Sequence, residues 1–85
     1  MTPLEVKRLA EAHDQPTLDQ AADALTDQGA ATVEVAGDDA GEQLTHLMLA
    51  SRVRQRMSGE GEDLRTAWRA VMRIVRGVVS NNPSE

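Results

Sequence analysis

Cysteine, phenylalanine and tyrosine are absent from these 85 residues, tryptophan occurs once, and a single lysine stands against eight arginines. Without cysteine there is no disulfide, no thiolate zinc site and no thiol nucleophile. Without Phe or Tyr the core must be assembled from aliphatic side chains, many of them alanines, and it will be thin. A stretch of about 18 or more apolar residues, which a membrane helix requires, is also missing. The opening Met1-Thr2-Pro3-Leu4-Glu5 has no apolar run resembling a signal peptide. These absences lead us to expect a cytoplasmic protein with no membrane partner.

What is present is charge, unevenly distributed. Residues 1–50 carry ten carboxylates against Lys7 and Arg8, a net of −8, whereas residues 51–85 carry seven arginines against four acids, a net of +3. Such asymmetry fits an anionic partner for the basic end, or two surfaces that neutralise each other within one molecule or across a dimer. At this length the chain forms one domain, and a core so poor in large side chains points to oligomerisation as the supplement to stability.

Turn and capping chemistry divides the chain into helices. Thr2-Pro3 with Glu5 reads as a helix start, and the first helix is expected from Pro3 to about His13, broken by Asp14-Gln15-Pro16. Thr17 with Gln20 reads as a second capping box, opening a helix through Leu18, Ala21, Ala22 and Leu25 to about Gly29. From Ala31 to Ala36 polar and branched residues alternate, so this segment is either an extended linker or one short strand paired with its copy in another subunit. Asp39 with Glu42 signals a third start, for a long helix to about Met57. Leu44, Leu47 and Met48 fall on one side of it and His46, Ala50, Val53 and Met57 on the other, as in a central helix packed from two directions. Ser58-Gly59-Glu60-Gly61 is a turn. In the last helix Leu64, Ala67, Trp68, Val71, Ile74, Val75 and Val78 lie within an arc of about 120°, a core-facing stripe with Trp68 at its centre. The expected fold is all-α, a small bundle of two short and two long helices with at most one short strand at about 31–36. One helical domain spans 1–80, with a disordered tail at 81–85.

Few residues suggest chemistry. Arg65, Arg69, Arg73 and Arg76 line the polar face of the last helix as a rail ~16 Å long at ~1.5 Å rise per residue, suited to phosphates or carboxylates, and Arg52 and Arg56 could extend it. Equally, they are a solvated face partnered by the acids of the first half. No aromatic residues interleave with them for base stacking, and there is no helix-turn-helix signal, which argues against nucleic acid. Glu42 and His46 have the i, i+4 spacing of two metal ligands, but His13 is the only other imidazole, so the ligand count falls short. Ser51 and Ser58 have no nucleophile-elbow context. Met48, Met57 and Met72 read as gap-fillers.

The stretch Gly41-Glu42-Gln43-Leu44-Thr45-His46, preceded by Val33-Glu34-Val35-Ala36-Gly37-Asp38, resembles a family of short, functionally uncharacterised bacterial proteins that carry such a segment before a long helix. The likeness extends through Arg76. It implies a small stand-alone protein of no assigned activity, and raises interest in Glu42, Thr45 and His46. The reading is therefore a non-enzymatic, self-associating helical protein, a homodimer without cofactor or metal. The alternative is a binding module whose arginine rail holds a nucleic acid or an acidic protein.

Overall fold

The computed structural model describes residues 1–81, with side-chain surroundings for residues 1–76. Four helices follow one another: α1 (Pro3–Ala12), α2 (Gln15–Gln28), α3 (Ala40–Glu60) and α4 (Leu64–Asn81). The all-α bundle of two short and two long helices is the architecture observed. Among the described residues there is no strand, and no helix is long and apolar enough to cross a membrane. The expected tail begins inside α4 at Asn81, and its remainder, 82–85, lies outside the described residues.

The caps differ from the sequence reading at two of three places. Thr2 precedes α1 in extended conformation, but its hydroxyl makes no cap bond, and Glu5 turns away to other partners. α2 begins at Gln15 rather than after Thr17, because the Asp14 carboxylate accepts the Thr17 N–H at 3.0 Å and Pro16 suits a first turn whose N–H groups have no helical partner. Asp39 does cap α3, accepting the Glu42 N–H at 2.8 Å. α3 continues past Met57 to Glu60 and ends at Gly61, whose φ of 69° is the left-handed C-cap that glycine adopts without penalty. Asp63 then accepts the Thr66 N–H at 2.8 Å in the first turn of α4.

Among the described residues the core has twelve buried apolar side chains, four of them alanines (Ala10, Ala21, Ala50 and Ala67). It is as thin as the composition implies. α3 packs against all three other helices, α1 also lies against α4, and among the described residues α2 and α4 do not touch. The molecule measures 37 × 31 × 18 Å along its principal axes. The two-sided grouping of α3 holds for Leu47, His46, Ala50 and Val53, all buried, but Met48 is 55% exposed. Trp68 does not sit at the centre of the core. It is half-buried at the α1–α4 seam, where its indole N–H donates to the Pro3 carbonyl at 2.9 Å and the Lys7 ammonium lies 5.3 Å from the ring centroid. A Trp needs a partner for its N–H when it is buried, and the Pro3 carbonyl at the start of α1 supplies one through a second lone pair. Ile74, expected in the core stripe, is 54% exposed. The side chain of Val78 lies outside the described set.

Residues 31–36 form a linker whose alternation is nevertheless real. Val33 and Val35 are half-buried against the core, while Thr32, Glu34 and Ala36 face outward. Side chains take the place of a neighbouring strand in pairing its backbone.

Candidate functional site: a closed latch and an open arginine face

The side chains that pair this linker come from α1 and α3. On α1, Glu5 is 8% exposed and Arg8 holds it in a fork, Nε to Oε1 at 2.9 Å and Nη2 to Oε2 at 2.7 Å. Glu5 also accepts the Ala36 N–H at 2.9 Å, and Arg8 donates onward to the Glu34 carbonyl at 3.1 Å. On α3, His46 is 1% exposed; its Nδ1 lies 2.7 Å from the Ala36 carbonyl and its Nε2 accepts the Thr2 N–H at 2.9 Å. A carbonyl on one nitrogen and an N–H on the other require the Nδ1–H tautomer. Both polar groups of Ala36 are thus held, one from each helix. Gln43 adds a bond from its amide to the Gly37 carbonyl at 3.2 Å.

This geometry bears directly on Glu42, Thr45 and His46. His46 is a buried clamp with both nitrogens occupied, and neither lone pair nor proton faces an open space. Glu42 lies 3.4 Å from the Met1 amino group and 4.0 Å from His46 Nε2. Thr45 is exposed, and its hydroxyl donates back to the Gly41 carbonyl at 2.9 Å within its own helix. Among the described residues, no group of three or more His, Asp or Glu side chains is placed to hold a metal ion. The arrangement can fix a loop between two helices. Glu5 and Arg8, which sequence reasoning missed, are its most strongly coupled members. Their i, i+3 spacing on one helix was the available signal, hidden because Glu5 was read as part of a capping box. The Arg8 fork, with help from the Ala36 N–H, lowers the Glu5 carboxyl from its ordinary 4.5 to about 2.

The arginines of α4 present the opposite situation. Arg65, Arg69, Arg73 and Arg76 are all exposed, and among the described residues none comes within ion-pair distance of a carboxylate. The acids of the first half do not partner them. Nor does Arg56 extend the rail, because it pairs with Glu62 at 2.8 Å across the α3–α4 turn. The rail borders a shallow groove of about 570 Å³ between the start of α1 and α4. Met1, Pro3, Trp68, Met72 and Val75 give the groove its apolar lining, and Arg69, Arg73 and Arg76 its charge. On the other flank of α4 a depression of about 290 Å³ opens beside Val71 and the exposed Ile74. Along α4 the apolar stripe is thus incompletely covered, and among the described residues its four arginines have no ion-pair partner.

The model of a family of unknown function, DUF6952, matches residues 1–80. No curated protein and no solved structure matches the chain.

Proposed function

The chain belongs to that family of unknown function, and with no activity to carry over from it we propose that this is a non-enzymatic interaction module that associates with itself through α4. The observation that carries the reading is the state of that helix: four exposed arginines with no carboxylate partner among the described residues, beside apolar side chains that the thin bundle leaves half covered. Placing such a surface against a second copy would remove Ile74 and the Trp68 groove from water and supply carboxylates from a chain whose net charge is −5. The engagement of both His46 nitrogens, and its burial, support a role for that residue in the fold rather than in chemistry.

Sedimentation equilibrium tests this, with a two-chain mass expected at micromolar concentration. A one-chain mass up to millimolar concentration would sink it. The outward direction of the arginines also favours a second reading, in which the same rail holds an external acidic partner or a nucleic acid. Self-association is preferred because the chain's own acidic half is the counter-charge at hand, and because the protein's overall charge opposes a polyanion at long range.

A further inference from the structure

We propose that the arginine row of α4 docks on an acidic row of α2 in a second copy of this chain. The proposal rests on the self-association reading and names its counter-surface. Asp19, Asp23 and Asp27 are exposed and recur at i, i+4 and i+8 along α2, and Arg65, Arg69 and Arg73 recur at the same spacing along α4. Each row spans ~12 Å at ~1.5 Å rise per residue, so three charges can face three charges without loss of register. Residues four apart form ridges inclined by about −26° to their helix axis, and two such ridges run parallel when the helices cross at about −50°, a common packing angle.

Six of the other carboxylates are committed, and Glu11, Glu34, Asp38 and Glu60, though exposed, do not line up along one helix. Asp14, Asp39 and Asp63 cap helices, Glu5 holds Arg8, Glu62 holds Arg56, and Glu42 lies against the Met1 amino group. Asp19 accepts a hydrogen bond from the Ser51 hydroxyl at 2.6 Å, a neutral partner that leaves its charge to be met elsewhere. Like charges four apart on one helix repel, so each row burdens its own helix until an opposite row covers it. The two rows have no route to each other within one molecule, because α2 and α4 make no contact among the described residues. They meet only between copies.

The test is charge reversal, read by sedimentation of the full chain at low salt with circular dichroism to confirm folding. Asp19→Lys, Asp23→Lys and Asp27→Lys together raise the formal net charge from −5 by six, to +1. General repulsion would then weaken, and association driven by overall charge would grow. Docking on the α2 row instead predicts that association is lost. Arg65→Glu, Arg69→Glu and Arg73→Glu together should abolish it too, and an equal mixture of the two variants should restore a mixed complex, since each supplies the row the other has reversed. If the triple lysine variant loses its helical signal, Asp23→Asn with Asp27→Asn is the substitute, with self-association weakened about tenfold or more. Undiminished association of the aspartate variants overturns the assignment of α2 while the self-association reading stands. A wild-type chain that stays monomeric removes both.

Discussion

The two ends of this small molecule treat polar groups in opposite ways. Where α1, the 31–37 linker and the start of α3 meet, every buried side-chain nitrogen and oxygen among the described residues has a partner. Glu5, Arg8 and His46 form a closed set there: Glu5 and Arg8 bond each other twice, the three residues together place three bonds on the 34–36 backbone, and the second His46 nitrogen takes the Thr2 N–H. Along α4, charges of one sign stand in a row with no carboxylate at ion-pair distance among the described residues. A buried polar group is costly unless paired, so the first region is stable only when complete, and losing one member exposes the cost of the rest. An exposed, solvated charge costs little and contributes little to the fold, so the second region is free to serve something outside it. The difference assigns stability to the latch, and it is the ground on which recognition is proposed for the arginine face.

The sharpest way to break that contrast is His46→Ala. The substitution removes a fully buried ring that bridges the Ala36 carbonyl and the Thr2 N–H, leaving a cavity and unpaired backbone groups. A loss of about 3–4 kcal/mol is expected in urea unfolding, a large share of what a domain of this size possesses. A loss below about 1 kcal/mol would show that the linker is held by Val33 and Val35 alone.

Acid should act on the same region through Glu5. Its folded value of about 2 lies below its ordinary 4.5, so the stability it contributes is fully present above pH 4.5 and is lost as the pH falls through the interval down to about 2. That contribution amounts to up to about 3 kcal/mol for a carboxylate this well buried and paired. Asp14 and Asp63, lowered by their hydrogen bonds from Thr17 and Thr66, push in the same direction at the exposed helix starts. Chemical denaturation across this range should give a stability that falls towards acid, and Glu5→Gln should flatten the slope while lowering the plateau. A slope that Glu5→Gln leaves unchanged would locate acid sensitivity elsewhere.

The fold was legible wherever a local signal decided it. The Asp39 cap, the glycine stop after α2, the break at Asp14-Gln15-Pro16 and the apolar spacing of α3 all act within a turn or two, and they located four helices, with the start of α2 and the end of α3 displaced by two or three residues. The linker was half legible. Its alternation is real, yet what pairs its backbone comes from Glu5 some thirty residues earlier and His46 ten residues later, and no local pattern carries that information. Trp68 shows another limit: periodicity placed it on the apolar arc, but only the packing of α1 determines that the ring lies at a seam with its N–H turned to Pro3. For the arginine row, sequence gave the residues and the spacing but not whether the chain's acids lie within reach. Gly37 was read only as part of the stretch before α3, not for its conformation. Its φ of 152° and the approach of Gln43, whose Cγ would lie 2.8 Å from an added Cβ, are products of the latch geometry.

The smallest effect on folding should come from the arginines. Arg69→Ala with Arg73→Ala removes two exposed side chains without ion partners among the described residues, so unfolding free energy should change by no more than about 0.5 kcal/mol. A larger loss would mean the face belongs to the fold and would erase the contrast with the latch. The same face then separates the two candidate partners. A nucleic acid bound along α4 would release counterions, and its affinity would fall steeply with salt, with a slope set by the phosphates neutralised. Against that binding stand a net charge of −5 and the absence of Phe and Tyr for stacking. A mixed-sequence duplex or single strand is therefore expected not to shift at physiological salt. A salt-sensitive complex tighter than about 10 μM, lost in the Arg69→Ala, Arg73→Ala variant, would show that attraction by the row overcomes the repulsion of the whole, and would make nucleic acid rather than a second copy the natural occupant of α4.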